Sequence, residues 1–291
     1  MKLLAKFNLI LGLVLGAGLA VSAAVSHQFL QNGAREEVLR QARLMILAMQ
    51  SARDYTSKQI KPLLVTQAEH QETFLPQTVP AFAATENFNQ LRGSYPEYAY
   101  KEAVLNPTNP RDRAVDWEAD VINAFRGHNG QKELVGERDT PTGRSLYLAR
   151  PIQAKQPCLE CHSVPAEAPP AMLRRYGSNN GFGWQPNEIV GAQIVSVPMA
   201  LPVQMANQAF QTMVISLAAV FLASLILLDL LLLFTVVRPL RRLSTMADQI
   251  SVGQVDMPEL PAGGKDEIAV LAGSFNRMRR SLDRAMKMLG S

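Results

Sequence analysis

The residues whose types and spacing bear on chemistry sit in one short run, Gln156-Pro157-Cys158-Leu159-Glu160-Cys161-His162. The chain has 2 cysteines in 291 residues, and both are here. Two thiols three positions apart, with an imidazole at the next position, form C-x-x-C-H, the attachment pattern of c-type haem. The reason is geometric. Thiols at that spacing reach the two vinyl groups on one porphyrin edge, and the following imidazole is placed under the iron. The expectation is one covalent haem c, with Cys158 and Cys161 as thioethers and His162 as the proximal iron ligand.

Other chemistries fit less well. A redox dithiol needs only C-x-x-C, but it opens a helix in a βαβ context that is absent here. A zinc site needs a fourth ligand, and His27, His70 and His128 show no paired spacing. No paired carboxylate or nucleophile–base motif is legible, so no catalytic residue is assigned and no enzyme is expected. For the second axial position, Met49 and Met45 lie one helical turn apart on an apolar helix face. Methionines on such a face are core filler by default. Met172 and Met199 are further options, while His70 and His128 lie in polar surroundings and read as exposed. A methionine ligand raises the reduction potential, and an open position admits a gas. Trp117, Phe182 and Trp184 either wall the haem or fill the core. Arg53 and Lys101 either pair with propionates or are solvated surface charges. The glycines of "YGSNNGFGW" (176–184) allow close backbone approach or simply make turns.

The elements that must position this run are set by two apolar stretches. Phe7 to Val25 has no charged residue, and Phe210 to Val237 has only Asp229. Each is long enough to cross a hydrocarbon core of ~30 Å. Asp229 is costly in lipid and is expected to face a partner helix or an interface. The basic start, apolar middle and small residues Val21-Ser22-Ala23 of the first stretch also fit a cleaved signal peptide. Its length favours an uncleaved helix. Lys2 and Lys6 precede the first stretch, and Arg238, Arg241 and Arg242 follow the second, so the positive-inside rule places both ends in the cytoplasm. Residues 27–207 carry 18 basic and 18 acidic residues, and from Arg238 onward there are 9 and 6. The overall charge of +4 therefore gives no reason to expect nucleic acid, and the small excess falls where lipid headgroups would meet it.

Between the stretches, residues 34–60 read as an amphipathic helix, with Val38, Ala42, Met45, Met49 and Ala52 at three- and four-residue steps and Pro62 ending or kinking it. Residues 76–116 read as loop-rich, followed by a helix over "DWEADVINAF" (116–125). "RSLYLARPI" (144–152) and "EIVGAQIVSVPM" (188–199) read as strands. Helices followed by antiparallel strands give an α+β domain. In the tail, Leu240, Leu243, Ala247 and Ile250, then Ile268, Leu271, Phe275, Met278, Leu282, Ala285 and Leu289, keep heptad spacing on either side of a Gly/Pro connector. Two such helices bury their seams against each other and a second copy, which predicts a parallel four-helix bundle in a homodimer.

Two resemblances add to this. The tail, from Pro239 through Asp266-Glu267-Ile268 to Phe275-Asn276-x-Met278, is similar to a HAMP signalling linker. The segments "SARDYTSKQIKP" (51–62), "YKEAVLNPTNPRDRAVDWE" (100–118), "CLECHS" (158–163) and "YGSNNGFGW" resemble a haem-c sensor domain family. That resemblance implies a PAS-like antiparallel sheet with flanking helices, one covalent haem, and a first helix on the distal side, which favours Met45 or Met49. The implied layout is a cytoplasmic N-terminus (1–6), transmembrane helices at 7–26 and 210–237, a periplasmic haem domain (27–207) and a cytoplasmic HAMP domain (238–291). This describes a two-pass protein of the bacterial inner membrane. HAMP linkers feed an output domain, so a separate histidine kinase or other signalling protein is the expected partner. The leading expectation is a haem receptor for redox state or a small gas. The alternative is a membrane-anchored periplasmic electron-transfer cytochrome dimerised by its C-terminal helices.

Overall fold

The structure, a computed structural model, describes residues 3–128, 130–254 and 257–289. Lys2, on which the orientation argument draws, and the side chain of Leu289 lie outside the described residues. The chain divides into two compact units, Gln28–Ala209 and a second made of Met1–His27 with Phe210–Ser291. Helix α1 (Leu3–Tyr55) contributes to both.

The Gln28–Ala209 unit then runs through short helices α2 (Lys61–Leu64) and α3 (Ala68–Glu72) to α4 (Pro80–Arg92) and strand β1 (Ala99–Val104). Helix α5 (Asp116–Gly127), strands β2 (Leu134–Thr140) and β3 (Gly143–Gln153), helices α6 (Gln156–His162) and α7 (Pro170–Tyr176), and strand β4 (Ile189–Pro198) complete it. The strands form one antiparallel sheet in the order β1-β4-β3-β2. This is an α+β domain with the helices on both faces of the sheet.

Both faces are apolar for that reason. Leu146 and Leu148 pair with Val197 and Val195 and point toward α1, where Val38, Ala42, Ile46 and Met49 meet them, with Phe88 of α4. The next residues along, Ala149 and Ile194, point the other way and pack on Ile122 and Phe125 of α5. A strand covered on two sides loses its polar alternation. Ion pairs fasten the edges: Arg43 of α1 to Glu133 at 2.8 Å, and Arg126 of α5 to Glu188 at 3.0 Å.

Strand β2 was not expected from the sequence, and three further departures stand out. The segment 76–116 is not loop throughout, since it holds α4 and β1. Pro80 occupies the first turn of α4, where the missing N–H is one that no helix satisfies internally. Pro62 does not end the first helix outright. Helix α1 passes at Tyr55 into a π-helical turn, Thr56–Ile60, and Pro62 then sits in the first turn of α2. Within that turn Thr56 Oγ1 donates back to the Ala52 carbonyl at 2.9 Å, competing with the regular ladder. Third, His70 is buried, at 9 % exposure. Its Nδ1 accepts from Leu75 N at 3.2 Å, and its ring lies against Phe74.

One polar network crosses the α1 face of the sheet. Arg53 pairs with Glu102, whose other oxygen accepts from the Tyr100 hydroxyl at 2.7 Å, and Gln193 Nε2 donates to that hydroxyl at 3.2 Å. Glu102, Tyr100 and Gln193 are all buried. Burial opposes the charge on Arg53, but the Glu102 carboxylate outweighs it and the guanidinium ends above its ordinary value. Burial first, then the Glu102 charge, pushes the Tyr100 hydroxyl far up, so it remains a donor.

Helix α8 (Ala200–Leu232) also contributes to both units, and in the second it is followed by a π-helical turn (Leu233–Val237), α9 (Arg238–Ser251) and α10 (Glu267–Leu289). Among the described residues two helices, one containing residues 7–25 and the other residues 210–232, are long and apolar enough to cross a membrane. Asp229 meets the first of them, where it accepts from Asn8 Nδ2 at 2.9 Å. In the tail, Leu243, Met246 and Leu260 bury against Ala272, with Leu240 and Phe275 at the margin. Asn276, 4 % exposed, fixes the connector by donating to and accepting from the Leu260 backbone at 2.9 and 3.0 Å. Asp266 Oδ1 accepts from Ala269 N at 2.7 Å and so caps α10. Ala247, placed in the seam by its spacing, is exposed in the single chain, as are Leu271, Met278 and Leu282.

The network on the sheet yields a stability prediction. Glu102→Ala strands the Arg53 guanidinium, whose side chain is 23 % exposed, and should cost about 3–5 kcal/mol. Arg53→Met combined with Glu102→Leu removes both charges and should cost much less. Thermal unfolding followed by near-UV circular dichroism checks the ranking, and equal losses for the single and double variants would refute it.

Candidate haem-attachment site

The C-x-x-C-H run forms a helix of its own, α6, of seven residues. Pro157 lies in its first turn, and Lys155 N donates weakly to Cys158 Sγ at 3.4 Å. Cys158 and Cys161 are one helical step of three apart and therefore share a face. Both are partly exposed and neither is in a disulfide. Cys161 packs against the buried cluster of Phe74, Ala168, Ala171 and Met172, on whose margin Phe182 also sits. Burial pushes its thiol up, with Lys61 opposing. Lys61 itself bridges to Glu160 at 3.3 Å, between the two cysteines.

The C-terminal end of α6 is held by the loop after α7. Trp184 N donates to the His162 carbonyl at 3.2 Å, and Gly183 N donates to the Ser163 carbonyl at 2.8 Å. These two bonds satisfy carbonyls that a helix end leaves open. The Trp184 ring stacks on the His162 imidazole at 4.0 Å, within 10° of parallel. His162 Nδ1 lies 2.7 Å from the Gly181 carbonyl. A carbonyl accepts only, so Nδ1 carries the proton and Nε2 carries the lone pair. Burial lowers the His162 imidazolium below its ordinary range, with the Gly181 carbonyl opposing, so the neutral imidazole is favoured.

Gly181 is the residue that makes this contact sterically feasible. Its φ is +84°, and a Cβ there would lie 2.0 Å from Thr108 Oγ1 and 2.7 Å from Thr108 N. Loop 105–109 therefore touches the 181 backbone directly, and Thr108 Oγ1 also stands 3.4 Å from His162 Nδ1. The arrangement fits a haem-iron ligand: a neutral imidazole, its tautomer fixed by a backbone acceptor, its plane fixed by a stacked indole, and thiols one and four residues before it.

The other residues that the sequence singles out are distributed as follows. Met172, 3 % exposed, shares the cluster of Cys161. Met45 and Met49 pack in a different cluster, between α1 and the sheet, and Met199 packs there too. Trp184 lies on His162 and Phe182 packs on the same buried cluster as Cys161, whereas Trp117 packs on Tyr147 with Arg138 over its ring. Lys101 is taken by Glu118 at 2.6 Å and by the Arg113 carbonyl. His70 shares the neighbourhood of Phe74, but its Nδ1 is an acceptor, which leaves the proton on Nε2. His128 is exposed. Thr108 is the site residue that sequence reading passed over. Its signal was the Asn-Pro-Thr-Asn-Pro turn that brings it to Gly181.

The site defines an α+β domain built around a C-x-x-C-H helix, with apolar helices on either side in sequence and a two-helix tail. A family model described as Tll0287-like (Tll0287) matches residues 30–198, more than half of the chain, and the chain belongs to that family. A HAMP domain model matches residues 231–284. No curated protein matches. Among solved structures, the crystal structure of the cyanobacterial heme-protein Tll0287 aligns at 14 % identity, covering 56 % of this chain and 95 % of that one, with a TM-score of 0.43. Likeness at that level carries nothing further to this chain.

Gly181→Ala should displace the 181 carbonyl from His162 and destabilise the domain by about 1–3 kcal/mol through the positive φ alone. The free imidazole would then sample both tautomers. Nitrogen-15 chemical shifts of His162 in the apoprotein read this directly, and an unshifted Nδ1–H tautomer in the variant would contradict it.

Proposed function

We propose that this chain is a non-catalytic membrane receptor that carries one covalent haem c and passes the state of that haem to a HAMP output. The observation that carries the reading is the His162 imidazole, neutral and oriented by Gly181 and Trp184, placed directly after two partly exposed thiols on one helix face. Cys158 and Cys161 would hold the porphyrin edge, and His162 Nε2 would bind the iron. When bound, the haem supplies an iron that changes oxidation state or takes a small ligand such as a gas. Met49 and Met45 stand as candidates for a second iron ligand on resemblance, and Met172 stands on its place in the cluster that Cys161 packs against. What the protein itself does is hold the imidazole, exclude water with Phe74, Met172 and Phe182, and link loop 176–184 to α6. A change in a bound iron would then reach the backbone that clamps His162.

Membership of the Tll0287-like family and the HAMP domain support a sensor-like role with an output partner, and the two apolar helices support membrane association. We place the haem domain in the periplasm and the HAMP domain in the cytoplasm on the flanking charges. The second reading, a membrane-anchored electron-transfer cytochrome, rests on the same haem site and gives the HAMP helices only a dimerising role. The apolar groove lined by Ala247, Ile250, Phe275, Met278, Leu282 and Met286 favours a homodimer under either reading, since a second copy would cover it.

Attachment is tested by denaturing electrophoresis with peroxidase staining. Wild-type chain should retain haem through acid–organic extraction, and Cys158→Ala with Cys161→Ala should lose it while His162→Ala retains a covalent but spectrally altered haem. Freely extractable haem in the wild type would overturn the covalent reading.

The dimer is tested at the seam. Phe275→Glu puts an unpaired charge in the groove, at a cost of several kcal/mol. Cross-linking between tails in membranes should fall at least tenfold with an unchanged haem spectrum. Undiminished cross-linking would show that the groove is not the interface.

A further inference from the structure

Within their apolar stretches the two long helices hold a polar contact that the haem site does not explain; a second, Gln31 Nε2 donating to Asn207 Oδ1 at 2.7 Å, lies beyond those stretches. Asn8 is in the first turns of the first apolar stretch, and Asp229 is the one charged residue of the second. Asn8 Nδ2 donates to Asp229 Oδ2 at 2.9 Å. The remaining oxygens, Asn8 Oδ1 and Asp229 Oδ1, are buried without a partner. In hydrocarbon an acid and an amide are expensive, and two orphaned acceptors add to the expense. A pair of this kind is a poor source of stability and a good source of register, because only one rotational setting of the two helices brings the groups together. Along the same seam the half-buried positions of the first helix recur at four-residue steps, Leu11, Leu15, Leu19 and Ala23, and at its far end the His27 and Phe210 rings meet edge to face at 5.1 Å.

The location adds a second observation. Asp229 lies four residues before the π-helical turn Leu233–Val237, after which Arg238 opens α9. In that turn Thr235 Oγ1 donates to the Leu231 carbonyl at 2.7 Å, the same back-bond that Thr56 makes in the first π-helical turn. A π-turn is a helix segment whose ladder is already broken, so it twists more readily than the α-helix on either side. Upstream of it the helix is pinned, and downstream it is α9.

We propose that Asn8–Asp229 is a rotational lock that sets the phase of the second span against the first at the point where it enters the HAMP helices. The lock rests on the reading of both helices as membrane spans and is independent of haem. Once locked at Asp229, the second span does not turn as a whole, and rotation between spans and α9 is confined to residues 233–237.

The test uses the full-length chain in inside-out membrane vesicles. Single cysteines are placed at each position from 241 to 251, and their labelling rates with a membrane-impermeant maleimide give the phase of α9. Asn8→Leu and Asp229→Leu should each shift the labelling maximum by about one position, ~100° of helix, and the double variant should shift it no further. The exchange of both groups, Asn8→Asp with Asp229→Asn, keeps size and the hydrogen bond and should restore the wild-type phase even if the leucine variants insert poorly. An unmoved maximum in both leucine variants, or an exchange variant whose phase differs from wild type, would overturn the lock. Failure of the membrane reading shows separately. In that case a single added cysteine at exposed His128, in the Gln28–Ala209 unit, labels from the same side, or the α9 cysteines do not label at all.

Discussion

The hydrogen bond from His162 Nδ1 to the Gly181 carbonyl, 2.7 Å long, holds together three segments that are remote in sequence. It requires α6 to end at His162, it requires residue 181 to lack a Cβ, and it requires loop 105–109 to lie against the 181 backbone. Each demand is met by a local feature: Pro157 starts the short helix, Gly181 accepts a φ of +84°, and the prolines at 107 and 110 shape the loop that carries Thr108. The result is an imidazole with its proton on Nδ1 and its lone pair on Nε2, stacked under Trp184. An imidazole held this way has its lone pair fixed in direction, which is what a metal site asks of a histidine.

The rest of the Gln28–Ala209 unit gives that clamp something rigid to push against. The sheet is buried on both faces, with α1 and α4 on one and α5 on the other. Charges that enter it are paired: Arg53 with Glu102, Lys101 with Glu118. In the other unit the same economy appears as single polar contacts in apolar settings. Asn276 holds the tail connector by two hydrogen bonds to one residue, and Asn8 meets Asp229 between the apolar helices. A few polar groups with one satisfiable geometry specify arrangement where apolar packing alone would tolerate slippage.

Much of this was legible in the sequence because the signals were local. The C-x-x-C-H run, the two apolar stretches, the helix at 116–125 and the tail heptads each depend on spacing within one element. Strands β3 and β4 were legible from their β-branched runs. Strand β1 was not, because Lys101 and Glu102 make it look solvated, and their neutralisation comes from residues 17 positions later and 49 earlier. Helix α4 was hidden by Pro76 and Pro80, which read as loop but start helical turns. His70 read as exposed from its polar neighbours, yet Leu75 and Phe74 bury it. The site followed the same rule. Cys158, Cys161 and His162 came from spacing, whereas Thr108 came only from the fold, which brings it to a glycine 73 residues away, at position 181.

Under the proposed receptor role, the state of a haem held at Cys158, Cys161 and His162 would be read through the backbone that clamps His162 and would reach the HAMP helices. Hydrogen–deuterium exchange of the full-length haem-loaded chain in lipid nanodiscs, poised ferric and then ferrous, tests it most directly. The account predicts that exchange changes both in residues 176–184 and in α9 and α10, with the sheet unaltered. A redox difference confined to α6, or none beyond residue 209, would contradict it and leave a cytochrome whose tail serves only to dimerise.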